Sequence, residues 1–446
     1  MEKACIQLNV IIVGAGIGGL GAAIAISLAG HRVTVLEAGS GIGEIGAGIQ
    51  ILPNASKILT TWGMRETLLK YATLPKQVNM IGWKGNHIAH MNFGEHAKKY
   101  GSPFWDFHRA SLHKCLLDRA VELGSKVLVK SRVSDVKFGE AGGGVCTVLL
   151  HDGRRLSADL VVGADGINSA MRECLVGHPD KPTPTGDLAY RLMLKTKDII
   201  KDPELRQFVT DPQINYWMGP DAHAVNYVIN GGEQFNMVLL VPDDIPEGGA
   251  TSIKGNVDEM RAIYKDWDPR IGKLLALCKS VCKWKLCIRE ELPTWSHPSG
   301  TFTLLGDAAH ATLPYLASGA GMSLEDAAVL GECLSRISSK RDISLALSVY
   351  ETCRKKRTTR VVQRSNVQQH LYHLHDGPEQ RERDAKMKMT PTPVGECLAW
   401  RDPEFGPWLL GYEVLRDVEA HWPDEVPVWK FRVEGRRGKG KFSANL

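Results

Sequence analysis

Three glycines, Gly14, Gly16 and Gly19, set between two apolar runs, constrain this chain more than any other feature of its sequence. The stretch from Asn9 to Glu37, NVIIVGAGIGGLGAAIAISLAGHRVTVLE, reads as strand, tight turn, helix, strand. Val10 to Val13 is a continuous apolar run, as expected of a parallel strand buried on both faces. An alanine-rich helix follows and ends near Gly30, and Val33 to Leu36 forms the second strand, closed by Glu37. In such a unit Gly14 permits the turn, Gly16 lets a pyrophosphate approach bare backbone, and Gly19 lets the helix pack closely on the strand, its N-terminus towards the anion. Glu37 stands where an acid accepts hydrogen bonds from an adenosine ribose. The rival is a membrane helix, since Val10 to Gly30 is uncharged and about 20 residues cross a bilayer. Six glycines in those 21 positions argue against it.

A chain of 446 residues is long enough for two or three domains. Its 43% hydrophobic and 24% charged residues are ordinary for a globular protein, and a net charge of +5 is too slight to imply nucleic acid. The basic tail Arg436, Arg437, Lys439 and Lys441 reads as a solvated terminus. Ten cysteines without CxxC pairs indicate neither a metal site nor a disulfide framework. The closest cluster, Cys278, Cys282 and Cys287, reads as small buried hydrophobes. No signal-peptide pattern precedes the first strand, so a cytoplasmic location without stable membrane insertion is expected.

Along the chain, a second glycine-dense loop follows Glu37 and leads into a short helix around Ala55 to Trp62. Val78 to Phe93 reads as a hairpin turning at Gly85 and Asn86, Arg109 to Leu123 as a helix, and Lys126 to Val129 as a return to the first sheet. Two strands then turn through Gly142 to Gly144, and a turn at Asp152 and Gly153 leads to a strand at Leu160 to Gly163. From Leu188 to Val241, aromatic and β-branched runs broken by turns such as GPDAH and NGGEQ predict an antiparallel sheet in a separate lobe. Asn256 to Cys278 has a helical period, Thr301 to Leu305 is a buried strand, and the rest is mainly helical to His375, then proline-rich and irregular. The expected division is 1–77, 108–183 and 291–375 for the nucleotide domain, 78–107 and 184–290 for the sheet lobe, and 376–446 for a tail packed on both. The fold class is thus α/β: a Rossmann-type domain, a mixed antiparallel-sheet substrate domain and a helical C-terminal region.

Two further stretches carry chemistry. In DLVVGADGINSAMR a buried strand runs into Asp165 and Gly166, with Ser169 and Arg172 on the helix that opens there. In TLLGDAAHATLPYLASGAGMSLEDA another runs into Gly306 and Asp307, and a proline and glycine loop leads to a helix starting near Gly321.

With these three stretches in order, the chain resembles the class A flavoprotein monooxygenases, and within them the salicylate hydroxylase branch of fungal type. The likeness extends through EIGAGI at Glu44 to Ile49, FHRASLHKCL at Phe107 to Leu116, AYR at Ala189 to Arg191 and the tail WRDPEFGPWLLGYEVL. The resemblance implies bound FAD, with Glu37 on its ribose, Arg109 at its pyrophosphate or ribityl region, Asp165 in the DG stretch, and Asp307 on the ribityl chain. It places Ala320 and Gly321 at the flavin pyrimidine, where a helix N-terminus stabilises negative charge, and Gln50 at the isoalloxazine edge. In one departure, Ser318 precedes the final GAG where related sequences commonly carry glutamine.

The resemblance also implies a transient NADPH or NADH that delivers hydride to FAD and leaves. The reduced flavin then captures O2 as a C4a-hydroperoxide and transfers one oxygen atom to an aromatic, phenolic substrate. Epoxidation of an indole or isoprenoid double bond, hydroxylation with loss of a carboxylate, and a non-catalytic FAD-binding sensor are the alternatives. Arg191 falls where several fungal relatives place an arginine proposed to hold a phenolate or polarise an epoxide. In the run HAVNYVI, His223 and Tyr227 are four apart and share a strand face with Val225 and Ile229, a placement suited to relaying a phenol proton outward. Tyr216 and Trp217 are alternative cavity walls, and the expected assembly is a monomer or homodimer.

Overall fold

The computed structural model describes residues 3–41, 43, 47–246 and 250–423. Glu44, Ile45 and Gly46 of the EIGAGI stretch and the basic tail residues Arg436, Arg437, Lys439 and Lys441 lie outside them.

Five short apolar strands form a parallel sheet in the order Phe302–Leu304, Leu160–Gly163, Asn9–Val13, Arg32–Leu36, Lys126–Leu128. The Asn9–Val13 strand is paired on both edges, with Val10 opposite Leu160 and Val33, and Val10 to Val13 are all buried, so both of its faces are covered and need apolar side chains. Helix Ile17–Leu28 follows it and packs on helix Gly319–Ser335. The two approach closely at Gly331, where a Cβ would lie 2.7 Å from that of Ala25. Outside them runs the 30-residue helix Ile343–Tyr372, whose buried Arg354 and Arg357 pair with Glu325 and Asp326.

The chain departs from expectation after Gly153. The turn leads first to a strand Arg155–Ala158, which completes a three-stranded antiparallel sheet with Val133–Lys137 and Cys146–Leu150. Its sequence, RLSA, has a half-exposed pattern and no continuous apolar run to announce it.

The second large sheet has eight strands, ordered Ser252–Gly255, Val281–Ile288, Thr183–Lys195, Gln234–Pro242, Ala222–Ile229, Ile214–Gly219, Gln77–Gly82, His87–Asn92. All neighbours are antiparallel except Ile214–Gly219 and Gln77–Gly82, which run parallel with Ile214 opposite Val78. Alternation divides its two faces. Tyr190, Trp217, Ala224 and Val228 pack with Met260 and Leu274 of helices Val257–Ile263 and Pro269–Ala276. Ala189, Tyr216, Val225, Tyr227 and Leu240 face the opposite way, towards Leu313 and Tyr315.

The segment expected to be irregular beyond His375 contains helices Pro378–Lys388, Phe405–Leu410 and Val414–His421. Leu398, Trp400, Phe405 and Leu409 sink into the cluster that holds Phe93 and Phe104, stacked 4.0 Å apart. Seven of the eleven residues of the first of these helices are charged, so it shows no apolar stripe in the sequence. Of the three clustered cysteines, Cys278 is buried, Cys287 half-buried and Cys282 exposed, because Cys282 alternates outward from Val281 on its strand. No helix among the described residues is long and apolar enough to cross a membrane.

Candidate functional site

The glycine turn can be tested atom by atom. Gly14 has φ +105°, and a Cβ there would lie 2.4 Å from the carbonyl oxygen of Ala164. At Gly19 a Cβ would meet the Gly14 carbonyl oxygen at 2.0 Å, whereas at Gly16 it would meet nothing within 4 Å. Packing therefore demands two of the glycines, and the third leaves a space open at the N-terminus of Ile17–Leu28. Beside it the Glu37 carboxylate is held by the backbone N–H groups of Ala15 at 3.1 Å and Gly39 at 2.7 Å.

From Gly16 and Ile17 a cavity of about 350 Å³ runs past Arg109, Gly306, Asp307 and Ala320 to the eight-stranded sheet. Asp307 opens the short helix Asp307–His310 and its side chain is exposed. The turn before it is pinned: Gly306 N–H donates to Asp326 Oδ2 at 3.0 Å, and His310 Nε2 lies 2.6 Å from the same oxygen. Burial alone would raise the Asp326 pKa, but His310 and Arg354 beside it hold it down to about 2. These residues fit FAD: an open backbone cradle, an acid fixed beside it, and an accessible acceptor at the carboxyl edge of the sheet.

The sheet supplies the other wall. Arg191, Val238, Val225 and Tyr216 lie opposite one another across four strands, and His223 with Leu240 and Ala189 forms the adjacent row. The Arg191 guanidinium sits 4.7 Å from the centre of the Trp284 ring. His223 belongs to strand Ala222–Ile229, not to an exposed turn, and is 1% exposed. Burial pushes its pKa well below the usual histidine value, and neighbouring His373 adds to this, so the imidazole is neutral. Tyr227 is also fully enclosed. Burial, with Asp106 and Tyr216 adding and Arg191 opposing, raises its pKa well above that of a free phenol and keeps its proton in place.

Of the residues expected at the site, Gly16, Gln50, Arg109, Arg191, His223, Tyr227, Asp307 and Ala320 line the cavity. Gly14, Gly19 and Glu37 shape its floor from behind, and Gly321 lies one residue beyond Ala320 in the same helix. Asp165 is turned away: it accepts from Ser169 Oγ at 2.5 Å and Met171 N–H at 3.1 Å at the start of helix Ala170–Val176, while Ala164 and Gly166 on either side meet the cavity. Tyr216 is a wall, but Trp217 alternates to the other face and donates to Asp268 at 2.8 Å. Ser318 lines the cavity with its hydroxyl committed to the Leu316 carbonyl at 2.9 Å. The nearby Thr312 hydroxyl, by contrast, is buried with no protein partner.

Sequence reading missed three groups. Asp106, 1% exposed, takes a 3.3 Å hydrogen bond from Gln50 Nε2, and burial raises its pKa far above the carboxylate range. Its only signal was an acid inside the run FWDFH. His373 and Asp187, which contact the His223 side of the cavity, carried no sequence signal, being far apart in the chain. Away from the cavity, Cys353, Asp417 and His421 bring a thiol, a carboxylate and an imidazole within 4.8 Å of one another.

Residues 7–365 match the FAD binding domain family. The chain is 39% identical to the FAD-dependent monooxygenase OpS4 of Beauveria bassiana (strain ARSEF 2860), over 93% of this chain and 97% of that protein. It is 34% identical to the 3-hydroxybenzoate 6-hydroxylase of Polaromonas naphthalenivorans (strain CJ2), over 92% and 98%. In fold it is similar to a salicylate hydroxylase solved as its substrate complex, with a TM-score of 0.77 and 24% identity over 94% of this chain and 98% of that one.

Proposed function

Because the chain belongs to the FAD-dependent monooxygenases of class A aromatic hydroxylase type, we propose that it uses NADPH or NADH and O2 to hydroxylate a small phenolic substrate. The observation that carries this reading is the convergence of His223, Tyr227 and Arg191 on one sheet face inside the cavity that Asp307 and Ala320 enter from the flavin side.

Each side chain has a distinct task. Neutral His223 accepts the proton of the substrate hydroxyl. Tyr227, which keeps its own proton, donates a hydrogen bond, and the Arg191 cation holds the resulting phenolate. A phenolate enriches the ring in electrons where an electrophilic oxygen arrives. Val225, Val238 and Leu240 exclude water from this end of the cavity. Bound FAD, once reduced, supplies the activation of O2, while Arg109, Gln50 and Asp307 orient it.

The test is a panel of phenols, aromatic acids and indoles, followed by NADPH and NADH oxidation and product mass. The expected result is oxidation stimulated by a phenol, with a product one oxygen atom heavier. Bound FAD without stimulated turnover by any compound would instead support a sensor, release of carbon dioxide a decarboxylating hydroxylase, and an oxygenated indole or alkene an epoxidase.

A further inference from the structure

The cavity histidine does not end the polar chain. His223 Nδ1 lies 2.8 Å from His373 Nε2, and His373 Nδ1 lies 3.5 Å from Asp187 Oδ2. His373 caps the C-terminus of helix Ile343–Tyr372, and its backbone carbonyl accepts from Asp221 N–H at 3.1 Å. Gln369, one turn earlier, donates to the Thr185 carbonyl at 3.1 Å, which fastens this helix end to the strand carrying Asp187. His223 is 1% exposed, whereas the His373 side chain retains 11% exposure. A buried, cavity-lining imidazole is thus joined directly to one that meets solvent.

We propose that His373 passes the substrate's proton from His223 to Asp187 and water, an inference that rests on the phenol-hydroxylating reading above. The chemistry balances by exchange. The phenol O–H proton binds His223 Nε2, the ring nitrogen not engaged with His373. The Nδ1–H proton of His223 moves to His373 Nε2, and the Nδ1–H proton of His373 faces Asp187 and leaves to water. Net, one proton crosses and both rings finish neutral, in the other tautomer, which ring reorientation resets. The surroundings suit this direction: Tyr216, Tyr315 and Tyr372 enclose His223 without charge, while Asp187 and Asp221 face His373 and His375 pairs with Asp221 at the surface. Tyr315 also donates to Asp187, so that carboxylate is held on two sides. His373 acts through His223 and is a positioning residue rather than a catalytic one.

The test mixes FAD-loaded protein rapidly with 4-nitrophenol at a pH where the free phenol is protonated, and follows the bound phenolate band. The parent protein should form the band, and His373→Gln should form it about tenfold more slowly with unchanged flavin absorbance. Glutamine keeps a hydrogen bond to His223 but has no second nitrogen to release a proton, so a purely structural His373 predicts no slowing. His373→Ala should be slow and recover with added imidazole. Equal rates for parent and His373→Gln, or no recovery by imidazole, would overturn the relay alone. A parent protein that forms no bound phenolate would overturn the reading beneath it, and the relay with it.

Discussion

The backbone N–H of Gly48 donates to Asn236 Oδ1 at 2.8 Å, tying the small two-stranded sheet to the eight-stranded sheet across 188 residues of sequence. Gly48 pairs with His108 in a small two-stranded sheet, and Asn236 lies directly opposite Tyr227. The missing side chain at Gly48 therefore sets how far the Tyr227 ring can extend towards the flavin domain.

Gly48→Ala should disturb the substrate end and spare the cofactor end. The added Cβ would lie 2.5 Å from Asn236 Cγ and 2.7 Å from the Tyr227 hydroxyl. A displacement of that kind costs about 1–3 kcal/mol, expected here as a roughly tenfold rise in KM. Steady-state kinetics beside an FAD-binding titration checks this, and a change confined to FAD affinity would contradict it.

Gly16 and Gly19 should separate cofactor binding from folding. Gly16 has an ordinary φ of −71° and open space at its Cβ position, so Gly16→Ala should leave the melting temperature of the FAD-free protein unchanged and weaken FAD by about tenfold. Gly19→Ala drives a Cβ to 2.0 Å from the Gly14 carbonyl and should lower stability by about 3 kcal/mol. Denaturation with and without FAD distinguishes the two.

Arg191→Ala and Tyr227→Phe should each reduce kcat/KM by about ten- to hundredfold, as loss of a hydrogen bond to a charged group does, while the protein stays yellow. Full activity in both variants would remove them from the mechanism.

Much of this was legible in the chain because its signals are local. Gly14, Gly16 and Gly19 are read within one turn, and the face shared by His223 and Tyr227 follows from a period of two. What stayed hidden depends on contacts between distant segments. The Asp106 carboxyl, His373 against His223 and the turned-away Asp165 are fixed by what packs on them, and no spacing rule encodes that. The Arg155–Ala158 strand escaped because one sheet face meets solvent and its sequence lacks an apolar run.

Acid should weaken the native protein through its buried histidines. Burial lowers the pKa of His223 and of His373 below the ordinary value of 6.5. The unfolded chain then binds protons that the folded one refuses, so stability is full above 6.5 and falls as pH drops below it. Melting temperatures from neutral pH down to about pH 5 should decline less steeply in His223→Gln than in the parent. Parallel slopes would show that this site does not contribute.

The parallel pairing of Ile214–Gly219 with Gln77–Gly82 has a consequence for how the molecule is made. Val78 and its partner Ile214 are 136 positions apart. At a synthesis rate of roughly 5–20 residues per second, the hairpin from Gln77 to Asn92 waits about 7–27 s for its neighbour to leave the ribosome. During that interval it carries an apolar strand with one open edge, a target for chaperones or for another nascent chain. The cavity therefore comes into being late, after the segments that surround it have been assembled out of order.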